Sequence, residues 1–483
     1  MKQQIEKPSR PWLVLAITSF AVFASALDTT ILYVAFPSIQ KTFSEVSRAD
    51  LSWAINAYTI VFAALLVPAG RLADRVGRRA VFFAGVVIFT VASACAGAAP
   101  SAELLIVARV IQAVGAAALL PSSLAVVLGE FPREKRATAV GIWGAVGALA
   151  AAAGPTLGAL IIDAASWRLA FFLNLPIGAL TIFLGSRFIR ESRDPEAAQR
   201  QDLLGIPLLI AGVAALALGI VQSDEWGWAG PRTLAAFGLS AVILPLFVFR
   251  SATYHSPALD LTLFRNHNFR MANLATASFG ISFAAMFLGT VLFLTNVWRY
   301  GTLEAGLLIA PGPLIAAIVA GPAGRAADRI GHRPMLVAGG LIFAAANVWR
   351  ALGTGLDRQV LELWLPSLIL TGIGVGLTLP TLSSAAVHGL APNRFAVGSA
   401  VNQTVRQLGA VLGVALVIAL LGSPSRAELL DAFDRIFWLL AAGGVVTAVF
   451  SLAIDTKPRQ RLEEESALEP KPGLAVNPSE SAV

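Results

Sequence analysis

Two ionisable residues of opposite sign stand inside long apolar runs of this 483-residue chain. Asp28 lies 16 residues into the run 12–36, which is about 24 Å along a helix. Arg109 lies in the run 103–127, about 9 Å from where that run begins. A charge at such depth in an apolar medium is costly and is a functional candidate by default. If the runs cross a core of about 30 Å in alternating directions, the two fall at a similar level. An acid held beside an arginine stays ionised, and one released into an apolar surrounding takes up a proton, so the pair can switch as it separates. The bland alternatives are an aspartate snorkelling to the outer interface and a purely structural ion pair. Arg406 sits about ten residues into the run 396–421, in V-N-Q-T-V-R-Q-L-G, with Asn402, Gln403 and Gln407 as polar company. With Gln112 it is expected along a substrate cavity, helix packing being the competitor. Gly154-Pro155, followed by Gly158, removes a backbone hydrogen bond and permits close approach, which reads as a hinge or a plain kink.

A second set of charges lies between the runs. Residues 70–79 read G-R-L-A-D-R-V-G-R-R, and residues 324–333 read G-R-A-A-D-R-I-G-H-R. Each copy follows one apolar run and precedes another. Gly70, Asp74, Arg75 and Gly77 in the first copy match Gly324, Asp328, Arg329 and Gly331 in position, and Arg78 follows in the first copy where the second has His332. The aspartates can cap the following helix or pair with arginines on a neighbour, and a pair that forms in one conformation and breaks in another is a gate. The alternative is a solvated turn that only sets topology.

The elements that must carry these residues follow from composition. The chain is 56% hydrophobic and 13% charged, with mean hydropathy +0.73, whereas soluble domains carry about 25% charged residues. Fourteen apolar runs are expected as membrane helices: 12–36, 51–70, 80–99, 103–127, 137–162, 170–189, 203–222, 233–250, 271–296, 305–323, 335–352, 362–386, 396–421 and 434–454. Alternate loops hold 25 lysines and arginines against 8 in the others, which puts both termini in the cytoplasm. The two hairpins are eight runs apart, so the expected plan is six plus two plus six. That gives a cytoplasmic tail at 1–11, a six-helix bundle at 12–189, and two inserted helices with linkers at 190–270. A second bundle spans 271–454 and a disordered tail 455–483. The whole is an all-α polytopic membrane protein.

Other classes find little support. Ala24-Ser25-Ala26 resembles a signal-peptide cleavage site, but the apolar run continues past it, so the first run is expected to stay. The single Cys95 allows no internal disulfide. None of the six lysines follows a glycine, so there is no G-K-[ST] phosphate loop. The four histidines form no metal pattern, and no catalytic constellation is readable. The basic residues sit in loops, which needs no nucleic-acid partner.

The hairpins resemble the basic loop motif of the major facilitator superfamily. Leu27-Asp28-Thr29-Thr30-Ile31 with Pro37 is similar to the first-helix motif of its drug:proton antiporters. Arg109-Val110-Ile111-Gln112 with Gly115 is similar to the fourth-helix proton-coupling motif, with Ala113 where glycine is usual. Gly147 and Gly154-Pro155-Thr156-Leu157-Gly158-Ala159 resemble the fifth-helix antiporter motif, with alanine for its final glycine. Trp167-Arg168 and Phe172-Leu173-Asn174-Leu175-Pro176-Ile177-Gly178 resemble the sixth-helix region of the fourteen-span branch. The resemblance covers about 12–454. It implies two six-helix bundles around a central cavity, with a proton gradient and no cofactor driving export of amphipathic small molecules. It implies Asp28 and Arg109 as proton-coupling residues and Gly154 and Pro155 as a hinge. The expected setting is a multi-pass monomer in the cell's inner membrane. Many relatives that export cations carry further membrane acids, whereas Asp163, Glu304 and Glu362 here sit near outer ends, leaving neutral or anionic amphiphiles open. Export or flipping of an endogenous lipid, lipopeptide or metabolite is the rival reading, and a non-transporting receptor or scaffold the third.

Overall fold

The computed structural model describes residues 10–193, 202–390, 394–425 and 427–456. Residues 1–9 of the expected N-terminal tail, 194–201 of the linker and 457–483 of the C-terminal tail lie outside the described residues. The described chain is helical throughout, with no strand among the described residues.

Its long helices are α1 (Pro11–Thr42), α2 (Arg48–Val76), α3 (Arg78–Ala98), α4 (Ala102–Glu130), α5 (Arg133–Ala164), α6 (Trp167–Phe188) and α7 (Gly205–Val221). They continue with α8 (Pro231–Thr253), α9 (His267–Asn296), α10 (Thr302–Ile330), α11 (His332–Gly353), α12 (Val360–Val387), α13 (Phe395–Leu421) and α14 (Leu429–Leu452). Twelve helices of the described residues are long and apolar enough to cross a membrane, or thirteen if the bent α5 is one span. The exception is α7, whose 17 residues reach about 25 Å, short of a core of about 30 Å. In lipid a spanning segment must satisfy its own backbone groups, so apolar runs of this length become helices.

Local chemistry sets where they start and stop. Ser101 accepts a hydrogen bond from Leu104 N and Asn266 from Phe269 N, capping α4 and α9. Between α2 and α3, Gly77 has φ 137°, and between α10 and α11, Gly331 has φ 89°, backbone regions that L side chains avoid. The two hairpins therefore turn in the same way at equivalent glycines.

Packing arranges the helices in two groups. Within the first, α1 lies on α5, and α4 lies on α2 and α3. Within the second, α9 lies on α13 and α14, and α12 lies on α10 and α11. The groups meet where α2 packs on α13, α5 on α10, and α1 on α9. The pair α7 and α8 pack on each other, and α7 also reaches α2 and α13. Thr404 Oγ1 in α13 donates to the Ala63 carbonyl in α2 at 3.1 Å. At the end of the molecule opposite the hairpins, Arg48 Nη1 donates to Gly422 O at 3.0 Å. There too Gln222, after α7, donates to Asp50 Oδ1 at 2.7 Å.

Candidate functional site

Five helices of the first group converge on Asp28. Its side chain is almost fully buried, as are those of Arg109, Gln112, Ser93 and Asn174. Arg109 Nη1 lies 2.5 Å from Asp28 Oδ2 and makes an ion pair with it. The other carboxylate oxygen, Oδ1, accepts from Gln112 Nε2 at 2.9 Å and from Asn174 Nδ2 at 3.2 Å. Asn174 also donates to Ser93 Oγ at 2.9 Å, and Ser93 donates to the Phe171 carbonyl. Arg109 is further held by Gln112 Oε1 and, through Nε, by Ala54 O at 3.1 Å. Its guanidinium lies 4.0 Å from the Tyr58 ring centroid, a favourable place for a desolvated cation. Thus α1 supplies the acid, α4 the cation and an amide, α3 and α6 neutral partners, and α2 a carbonyl and an aromatic face. A cavity of about 10 Å³ opens against Asp28, Ile31 and Phe171, room for about one water.

A buried ion pair survives only if its remaining hydrogen-bonding capacity is met. Here both carboxylate oxygens are satisfied.

The hinge residues touch the same stretch of α1. A Cβ on Gly154 would lie 2.7 Å from Thr30 Cβ and closer still to Thr30 Oγ1, and one on Gly158 would lie 3.0 Å from Ile31 Cγ1. Pro155 cannot donate to the carbonyl of Ala151, and α5 bends by 41° between Thr138–Ala151 and Ala153–Ala164. One turn on, the other side of α5 meets the second group, where Gly306 of α10 lies against Ala159 and the Pro155 carbonyl. Farther along, Gly144 of α5 and Gly321 and Gly324 of α10 face open space. The helices therefore touch at one end and part toward the hairpin end.

The residues expected along a cavity separate on inspection. Gln112 is fully buried within the Asp28 cluster, so it braces the ion pair rather than lining a cavity wall. Asn402 is buried and donates to Asn273 Oδ1 at 3.2 Å and Thr276 Oγ1 at 2.9 Å, tying α13 to α9. Gln403 and Arg406 are half-buried. No acid pairs with Arg406 among the described residues.

The first hairpin is braced from outside. Asp74 pairs with Arg78 at 2.8 Å within the hairpin. The Glu191 carboxylate caps α3 through Arg79 N and Ala80 N, both at 3.1 Å. Gly70 lies against Pro121 and Arg75 is exposed. In the second hairpin Asp328 and Arg329 are exposed. Thr456 caps α11 there, accepting from His332 N at 3.0 Å.

Three residues escaped the sequence reading. Ser93 and Asn174 are neutral, and only their placement reveals them. Arg350 lies inside α11 and is fully buried. Its Nε donates to Ser367 Oγ at 2.9 Å, and its guanidinium lies 4.7 Å from the Trp364 ring centroid.

With this geometry in hand, the chain can be set beside known proteins. The sequence model described as Major Facilitator Superfamily matches residues 18–414 and 274–477. The multidrug resistance protein Stp of Mycobacterium tuberculosis is 34% identical over 424 residues, covering 88% of this chain and 78% of Stp. The tetracenomycin C resistance and export protein of Streptomyces glaucescens is 29% identical over 416 residues, covering 86% and 76%. Among solved structures, a bacterial homologue of the human lysosomal transporter Spinster superimposes with TM-score 0.62 at 17% identity, over 92% of this chain and 96% of that one.

Proposed function

The chain belongs to the major facilitator superfamily, and from that premise we propose that it is a proton-coupled exporter of amphipathic small molecules. Membership makes it a multi-pass membrane transporter rather than an enzyme. The proton, the direction and the substrate class are our reading. One relative is named a multidrug resistance protein and another a resistance and export protein, which supports export. We read the molecule as fourteen spans, six plus two plus six, with both termini cytoplasmic and the hairpins on that face.

The observation that carries the coupling is the closed Asp28–Arg109–Gln112–Asn174 cluster. In this reading the ionised Asp28 locks α1 to α4 and α6. A proton arriving at Asp28 releases α1, whose Thr30 and Ile31 are seated on Gly154 and Gly158 of α5. Since α5 also meets α10 at Gly306, the release reaches the seam between the groups. The contact there and the Arg48–Gly422 bond close the outer end, while the hairpin end stands open to load substrate. Arg406, with no acid paired to it among the described residues, favours uncharged or anionic amphiphiles over dications.

The test is transport in proteoliposomes. An amphiphile to which a deletion strain becomes hypersensitive, tetracenomycin C being the first to try, should accumulate when a proton gradient is imposed. Absence of any gradient-dependent flux across such a panel would rule out the proposal.

A further inference from the structure

The pair α7 and α8 carries a groove of its own. The two helices pack closely at Gly212, where a Cβ would lie 2.6 Å from Leu244 Cδ2 and whose carbonyl accepts from Ser240 Oγ at 3.0 Å. Past Pro245 they part. Between Leu204, Leu208 and Ala211 on one side and Leu246, Phe249 and Arg250 on the other lies a groove of about 600 Å³, within the range of about 300–1,000 Å³ usual for ligand sites. Leu204 is 62% exposed and Phe249 67%, so the groove opens outward from the protein.

Its far end is built. Asp202, itself buried, accepts from Arg250 Nε at 2.7 Å and from Gly205 N at 2.9 Å. The Arg250 guanidinium lies 4.7 Å from the Tyr254 ring centroid, which fixes it from another side. Nη1 and Nη2 make no hydrogen bond among the described residues. A held guanidinium whose Nη1 and Nη2 have no partner among the described residues, at the end of an apolar groove, is complementary to an anionic group on a long apolar tail, such as a lipid phosphate.

We propose that this groove binds an anionic phospholipid, with its phosphate on Arg250 and an acyl chain between α7 and α8. The short α7 ends at the same level, so the bound chain fills the space where that helix falls short of the bilayer core. Placement in the cytoplasmic leaflet rests on the topology read from loop charges, and the binding itself does not.

The experiment titrates phosphatidylglycerol or phosphatidylcholine of identical chains into the purified full-length chain in detergent, with bound lipid counted by native mass spectrometry. Both lipids carry the phosphate, but phosphatidylcholine also sets a trimethylammonium beside Arg250, so phosphatidylglycerol should bind about tenfold more tightly. Arg250→Gln should remove that preference. Ala211→Trp, which fills the groove and leaves the Asp202–Arg250 pair intact, should block binding of both lipids at this site. Equal binding of the two lipids, or Ala211→Trp binding phosphatidylglycerol as wild type does, would overturn the proposal. So would inorganic phosphate displacing the lipid as readily as another lipid does.

Discussion

Replacing Gly154 by alanine tests whether α5 transmits the state of Asp28. The new Cβ would stand 2.7 Å from Thr30 Cβ and nearer still to Oγ1, whereas ordinary contact begins at 3.4 Å, so α1 and α5 must part by at least about 0.7 Å. Thr30 cannot simply rotate away. Its Cβ carries two heavy atoms, and its hydroxyl is shared between the Ala26 and Leu27 carbonyls at 3.2 Å each. Overpacking of this kind costs about 1–3 kcal/mol, which shifts a two-state equilibrium by about 5- to 150-fold. The cost falls on the conformation described here, because the close seat belongs to it. Spin labels on Ile142 of α5 and Ile318 of α10, both exposed, would report the distance across the open end in a Cys95→Ala background. Gly154→Ala should move the distribution toward a second distance and slow transport by at least about fivefold. A distribution and rate unchanged from wild type would refute the idea that this contact links α1 to the seam.

Three further outcomes follow from the same geometry. Asp28→Ala should cost about 3–5 kcal/mol of stability by leaving Arg109 buried and unpaired, and adding Arg109→Leu should recover most of it; chemical denaturation in detergent measures both. Gly331→Ala should destabilise by about 1–3 kcal/mol through its backbone conformation alone, since the added Cβ meets nothing nearer than 3.4 Å; thermal unfolding of the purified variant checks it. Arg48→Ala should weaken closure of the end opposite the hairpins, seen as faster labelling of a cysteine placed at Ser425, while Lys at the same position should restore part of the protection.

The helices were readable in the sequence because each is a long apolar run, and in lipid such a run has one way to satisfy its backbone. The hairpins were readable because their glycines and charges recur. Asp28 and Arg109 stood out for the opposite reason, as charges where charge is costly. What stayed hidden was whatever carries no such cost. Ser93 and Asn174 look like unremarkable polar residues until α3 and α6 bring them to Asp28. Gln112 was placed on a cavity wall, although its spacing of three from Arg109 puts both on one helix face. Arg350 falls near the end of the run 335–352, and only packing against Trp364 shows that it is inside. The Arg250 groove depends on how two helices part, which no single run of residues encodes.

The central claim is that Asp28 carries the coupling proton, and one comparison reaches it most directly. Wild type and Asp28→Asn are reconstituted in proteoliposomes, and the same amphiphile is followed with and without an imposed proton gradient. The account predicts that wild type accumulates it against its concentration gradient, while Asp28→Asn still equilibrates it but gains nothing from the proton gradient. Gradient-driven accumulation by Asp28→Asn at the wild-type level would contradict the account.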